Sequence, residues 1–345
     1  MKIYHLSHTD LDGYSCQYII NQYFKNCVFL NSNYGKEINE NFDLIKKQIQ
    51  TNLIQNLTQN QKTMILISDL NLNLEQCEEF DHFAKEYDVK LLLLDHHQSG
   101  LECAKKYDWY FLDNSRCATK IVYDFFSNFF PKNEDLNLFV EVVNSIDIWL
   151  KDNQYFELGK VFLQMISSAK EINRVLFAKE NTLYMFYLLN KASNFIKEKK
   201  ANIKLEDSIH FLKKDFFKID EDNTLNNLIS NFIVDKLTKN KDKMSIFYND
   251  HKGVLTSNIG NTSVIGNDFL EKNNDFDFFI DISSKKTLSF RSNGKIDVSL
   301  MAKTLVNGGG HKNASGGIFN NFKDSHNYDL IKEQIEQLIQ SKDKK

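Results

Sequence analysis

Three continuous runs of apolar residues stand out against an otherwise polar chain: Ile3-Tyr4-His5-Leu6, Met64-Ile65-Leu66-Ile67 and Leu91-Leu92-Leu93-Leu94. Runs without polar alternation suit strands buried on both faces of a parallel sheet. The first part of the chain reads as strand 2–7, helix 13–24, the apolar run Cys27-Val28-Phe29-Leu30, helix 37–50, strand 63–68, helix 74–87 and strand 90–94. Strand–helix alternation of this kind predicts a parallel, helix-covered sheet. Beyond residue 97 apolar positions recur at three- and four-residue spacing, predicting helices over 115–130, 134–149, 156–168 and 181–200. A second α/β unit follows, with strands over 244–248, 276–282 and 287–291 and helices over 263–272 and 297–306. It leads into the glycine cluster Asn307-Gly308-Gly309-Gly310-His311-Lys312-Asn313-Ala314-Ser315-Gly316-Gly317, and the tail from Ser341 to Lys345 reads as frayed. The chain thus divides into residues 1–185, a helical linker over 186–224, and residues 225–345.

Length and charge narrow the function. With 345 residues, two domains of roughly 150 residues each are the default. A net charge of −3, from 43 basic and 46 acidic residues mixed along the chain, gives no polybasic field for gripping long nucleic acid, so any nucleic-acid substrate is short. Cys16, Cys27, Cys77, Cys103 and Cys117 are odd in number and lack a C-x-x-C pair, which argues for reduced thiols over a disulfide framework or a zinc knuckle. Without a basic leader or eighteen consecutive apolar residues, the chain reads as soluble and cytoplasmic, with no membrane partner and with a homodimer left open.

The chemistry sits where the strands end. Ile3-Tyr4-His5-Leu6 runs into Ser7-His8-Thr9-Asp10-Leu11-Asp12-Gly13, the second run into Ser68-Asp69, and the leucine run into Asp95-His96-His97. Parallel neighbours bring their carboxyl-terminal loops to one rim, where open α/β sheets build their sites. With Asp147 at the end of the helix over 134–149, five carboxylates and three imidazoles converge. Such crowding pushes carboxyl pKa values upward unless counterions are present, and two divalent cations solve the problem. Oxygen and imidazole ligands without thiolate suit Mn²⁺ better than Mg²⁺, with Zn²⁺ or Fe²⁺ also compatible. Two adjacent metals serve in-line displacement at phosphorus: one lowers the pKa of a bridging water, and both neutralise developing charge. Phosphoester hydrolysis is the natural reaction, and Asp69, alone on its strand end, is the candidate bridge. In the second unit, consecutive glycines let backbone N–H groups approach an anion, His311 can donate to phosphate, and Arg291-Ser292 adds a guanidinium. Taken singly, Asp-x-Asp-Gly is usually a turn and Gly-Gly-Gly-His a loop, yet ligand-type residues at every strand end are hard to reconcile with accident. His5, His82, His210, His251 and His326 match no constellation and read as structural.

Ser-His-Thr-Asp-Leu-Asp-Gly, the lone Asp69, Leu-Asp-His-His, Ile-Asp-Ile-Trp, Ser-Phe-Arg-Ser-Asn-Gly and Gly-Gly-Gly-His-Lys-Asn-Ala-Ser-Gly, in this order from residue 3 to about 320, resemble the DHH phosphoesterase family with its carboxyl-terminal DHH-associated domain. Tyr107-Asp108-Trp109 and the Asp147/Trp149 pair are most similar to its oligoribonuclease B (nanoRNase) branch. The resemblance implies an α/β fold: a parallel-sheet DHH domain, a helical linker and a smaller α/β domain, with the active site in the cleft between them. It implies a di-manganese site from His8, Asp10, Asp12, Asp69, His96 and Asp147, with Asp95 structural and His97 acting near the scissile phosphate. Arg291, Ser292, Gly309, Gly310 and His311 would hold the substrate. The implied activity is Mn²⁺-dependent hydrolysis of RNAs of a few nucleotides to mononucleotides. Alternatives are hydrolysis of phosphoadenosine phosphate or of linear dinucleotides derived from cyclic messengers, and a non-catalytic nucleotide-binding module. Asn114 to Thr119 follows the family loosely, leaving Arg116 and Thr119 as candidate substrate contacts. No extra nucleic-acid-binding domain of the RecJ exonuclease kind is evident, which argues against processive degradation of long DNA.

Overall fold

The computed structural model describes residues 1–54, 62–219 and 222–343; Lys344 and Lys345, read above as part of a frayed tail, lie outside them. The chain forms two compact units, Met1–Ala169 with Thr182–Leu212, and Lys170–Asn181 with Lys213–Lys345.

The first unit holds β1 (Lys2–His8), α1 (Leu11–Tyr23), β2 (Cys27–Ser32), α2 (Lys36–Ile54), β3 (Thr63–Ser68), α3 (Leu74–Glu86), β4 (Lys90–Asp95), α4 (Leu101–Lys106), β5 (Tyr110–Leu112), α5 (Ala118–Phe126), α6 (Glu134–Asp147) and α7 (Phe156–Ser167). Its five strands are all parallel, in the order β2-β1-β3-β4-β5. Chain order reverses between β1 and β3, the switch point at which loops diverge and open a crevice. On one face Tyr4, Leu6, Ile65, Ile67 and Leu93 pack against Ile38, Phe42, Ile45 and Ile49 of α2 and Cys77, Phe80 and Phe83 of α3. The opposite face carries a buried polar chain: His5 Nε2 and Ser68 Oγ are 2.8 Å apart, Ser68 Oγ and Ser7 Oγ 2.9 Å, and Ser7 Oγ donates to Gly13 O. His5 is thus a hydrogen-bonded core histidine. Burial drives its pKa down to about 3, keeping it neutral.

Over the stretch expected as a linker, α8 (Ala178–Ser193) and α9 (Ala201–Phe217) form, their residues dividing between the two units. The single helix expected over 181–200 ends at Ser193, and Lys200, at a φ of +56°, precedes the restart. The second unit adds α10 (Leu225–Met244), β6 (Ser245–Tyr248), β7 (His251–Ser257), α11 (Thr262–Lys272), β8 (Phe278–Ile282), β9 (Thr287–Ser292), α12 (Val298–Val306), β10 (Gly309–His311), β11 (Ala314–Ile318) and α13 (Tyr328–Asp343). Its sheet runs β10-β11-β9-β8-β7-β6, with only β7 and β8 parallel among these pairs. Phe278, Ile280, Leu288 and Phe290 pack on one face against Val298, Met301 and Leu305 of α12 and Ile331, Ile335 and Ile339 of α13. The glycine cluster is a β-hairpin, β10–β11, at the sheet edge.

Candidate metal centre

Strand register assembles the site. Ser7 pairs with Ser68 and Ser68 with Leu94, so His8, Asp69 and Asp95 are the next residues on three neighbouring strands. Asp10 caps α1, accepting from Gly13 N–H at 3.0 Å. Gly13 must be glycine: a Cβ there would stand 2.3 Å from His8 O and 2.6 Å from its carbonyl carbon, forcing α1 off the end of β1. Asp12, buried, accepts 2.8 Å bonds from the N–H groups of Ala118 and Thr119 at the start of α5. The turn reading of Asp-x-Asp-Gly is therefore true as well, and ligand-type side chains are built into it.

Two clusters form around Asp69. His8, Asp10 and Asp69 offer donor atoms within 4.8 Å of one another, and so do Asp69, His96 and His97. His8 Nδ1 lies 2.8 Å from Asp10 Oδ2 and 3.7 Å from Asp69 Oδ2. His96 Nε2 lies 3.4 Å from Asp69 Oδ1, 3.6 Å from Asp147 Oδ2 and 3.7 Å from Asp12 Oδ2. His8, Asp10, Asp12, Asp69, His96 and Asp147 are thereby brought together. Burial first, then the charges of Asp10, Asp12 and Asp147, pushes the Asp69 carboxyl well above the carboxylate range, and burial with Asp12 and Asp10 lifts Asp147 to about 9. Asp69 also has a φ of +55°, a left-handed conformation uncommon for a residue other than glycine or asparagine.

These residues fit divalent ions on a structural test. Asp69 Oδ2 is buried without a hydrogen-bond partner among the described residues, a costly state for a polar atom unless a cation satisfies it. The donors are oxygen and imidazole nitrogen, as the sequence suggested, with one addition. Cys117 Sγ lies within 4.8 Å of donor atoms of Asp12 and Asp147. Burial, reinforced by those two carboxylates, pushes its thiol pKa well up.

His97, 4.0 Å from Asp69 Oδ1 through its Nδ1, is oriented by further partners. Its Nδ1 is 2.7 Å from Asp95 Oδ1, and Tyr110 O–H donates to Asp95 Oδ2 at 2.9 Å. Burial opposes protonation of His97, but the Asp95 hydrogen bond and charge outweigh it and leave the pKa raised. Its Nε2 meets the Tyr34 hydroxyl at 3.0 Å, and the Tyr34 ring lies 4.8 Å from that of His8. Tyr34, from the β2–α2 loop, escaped the sequence reading because no local pattern marks it. Thr119 is buried and donates to Asp12 O, while Arg116 pairs with Asp113 and Asp124, so both candidate substrate contacts are engaged within the fold. Trp109 likewise packs on the core cluster and donates to Asp81.

The remaining candidates lie in the second unit. Arg291 pairs with Ala314 and Ala314 with His311, which sets Arg291 and His311 on one face of three adjacent strands. The Arg291 guanidinium donates to Ser263 Oγ at 2.8 Å and Phe290 O at 2.7 Å. Gly309, Gly310 and His311 are exposed on the edge strand. Gly310 takes a φ of +148° where a Cβ would meet Ala314 O at 2.6 Å. Ser292 is not brought to this group: it is buried, and its hydroxyl accepts from Gly294 and Ile296 N–H, closing the turn after β9.

A parallel sheet whose strand ends deliver His8, Asp69 and Asp95-His96-His97 to one rim is the arrangement that the resemblance to DHH phosphoesterases implies. No model of a known protein family matches the chain. It is, however, 41% identical over 350 residues to the 3′,5′-cyclic-nucleotide phosphodiesterase of Helicobacter pylori (strain ATCC 700392 / 26695), covering 98% of this chain and 99% of that protein, and it belongs to that protein's family. The crystal structure of an uncharacterized protein from Helicobacter pylori G27 matches with a TM-score of 0.86 at 40% identity, over 99% of each chain.

Proposed function

We propose that this chain hydrolyses nucleotide phosphodiesters using divalent ions held by His8, Asp10, Asp12, Asp69, His96 and Asp147, and that 3′,5′-cyclic nucleotides are its substrates. One observation carries the reading: Asp69 belongs to two candidate ligand clusters at once and keeps Oδ2 without a hydrogen-bond partner among the described residues, 3.7 Å from His8 Nδ1. The substrate class is supported by the relative named for it. Bound metal would supply Lewis-acid polarisation of phosphate oxygen and a more acidic water, and the oxygen and imidazole donors favour Mn²⁺.

The protein's own part is orientation and charge. Asp95, fixed by Tyr110, directs Nδ1 of His97 inward and leaves Nε2 as the nitrogen that exchanges a proton with a substrate oxygen. Arg291, Gly309, Gly310 and His311 would hold the anionic group, Arg291 through its forked donors. A second reading, hydrolysis of RNAs of a few nucleotides, is supported by the motif order and the near-neutral charge. The test is metal-stripped protein given Mn²⁺, Mg²⁺ or Zn²⁺ and offered cyclic AMP, cyclic GMP, RNA two- to five-mers, phosphoadenosine phosphate and linear dinucleotides. Chelator-sensitive hydrolysis of the cyclic nucleotides is expected. Turnover of RNA alone would transfer the conclusion to the second reading, and metal binding with no turnover of any substrate would remove both.

A further inference from the structure

Helix α6, which carries Asp147 in its last turn, ends in a Schellman motif: Trp149 N–H bonds to Ile146 O and Leu150 N–H to Ser145 O. The residue after the cap must take a left-handed conformation, for which glycine is the usual choice because any Cβ is strained there. This chain uses tryptophan, at a φ of +59°. Trp149 nonetheless stays 55% exposed at this strained position. Its ring packs edge-to-face on Phe156, 5.1 Å between centroids at 87°. The other tryptophan, Trp109, contrasts with it, being packed on the core and hydrogen-bonded through its indole N–H. A large aromatic face is therefore held toward solvent, at a strained position, two residues from Asp147 and so within about 7 Å of its Cα.

We propose that Trp149 is the shelf on which the substrate's nucleobase stacks, an assignment that rests on the reading of the site as a nucleotide phosphodiesterase. Stacking suits an exposed indole because every base has a π-face, and it makes the substrate class a base-bearing phosphodiester with little preference among bases. Trp149→Gly fits the left-handed backbone while deleting the ring, so lost stacking separates from lost folding, which circular dichroism monitors. The variant should raise KM for cyclic AMP about 5- to 150-fold, with kcat within about 3-fold of the wild type. KM for the base-free core, 1-deoxyribose 3′,5′-cyclic phosphate, should not move, and Trp149→Phe should recover most of the loss. AMP should quench tryptophan emission in the wild type, and Trp149→Phe should abolish the quench. The assignment is overturned if Trp149→Gly leaves KM for cyclic AMP unchanged, if KM for the base-free compound rises equally, or if AMP quenches Trp149→Phe as strongly as the wild type. Failure of the parent reading shows differently, as wild-type protein that turns over neither cyclic compound; the AMP quench then decides the stacking claim alone.

Discussion

Asp69→Asn should make the metal-free protein more stable while disabling it. The Asp69 and Asp10 carboxylates offer atoms within 4.8 Å of each other, and at an effective dielectric constant of 20 two like charges at that distance repel by about 3.5 kcal/mol. Taking up a proton relieves the repulsion, but at pH 7 that costs a free carboxyl about 4 kcal/mol. The penalty carried by the metal-free wild type is the smaller of these, so asparagine gains up to about 3.5 kcal/mol. It also tolerates the +55° backbone better than aspartate. The sign with pH follows from the raised pKa. A carboxyl lifted on folding penalises the folded state above its unfolded pKa, so the gain from asparagine should shrink as pH falls toward 4. With metal the order reverses, since the wild type gains about 4.1 kcal/mol at a thousandfold excess over Kd and a variant without this carboxylate gains far less. Urea unfolding of both proteins, with chelator and with Mn²⁺, at pH 7 and pH 4.5, reads all three terms. Turnover should fall at least a hundredfold. A variant less stable than the wild type in chelator, or one keeping near-normal turnover, would refute the proposed metal-binding role of Asp69.

Other expectations are equally specific. His5, neutral in the core with a pKa of about 3 against 6.5 unfolded, adds stability that is complete above pH 6.5 and is lost as pH falls toward 3, up to about 5 kcal/mol; urea midpoints of wild type and His5→Gln between pH 7 and 4 should converge, and parallel curves would count against it. Gly13→Ala should cost about 3 kcal/mol or more in thermal melts and lower metal affinity by calorimetry, because its Cβ collides with the His8 backbone. Tyr34→Phe removes the 3.0 Å contact to His97 and should lower kcat roughly 2- to 10-fold at unchanged melting temperature; an unchanged kcat would leave Tyr34 without a part in the reaction. Arg291→Ala should raise KM far more than it lowers kcat, and the reverse split would argue against a substrate-holding role.

What the sequence makes legible depends on how far each feature is set locally. The three apolar runs mark β1, β3 and β4 because a strand buried on both faces needs no partner in sequence to be recognised. Once those strands are parallel, register alone aligns His8, Asp69 and Asp95, so the ligand cluster follows from strand order rather than from any side-chain detail. Strand β5 has three residues, too few to show a period, and β10–β11 hides in a glycine cluster that lacks a strand's apolar alternation. Tyr34 and Cys117 reach the site from a loop and a helix cap, and Ser292 turns inward because alternate residues of a strand face opposite ways while its neighbour Arg291 faces α11. The same rule separates what a motif specifies from what it merely contains. Asp12 caps the start of α5 with both oxygens and still presents Oδ2 to His96, so one carboxylate fastens two helices and joins the candidate ligand group. Ligands that also hold the fold cannot be replaced without moving their neighbours, which ties the spacing Asp-x-Asp-Gly to this architecture as firmly as any chemistry does.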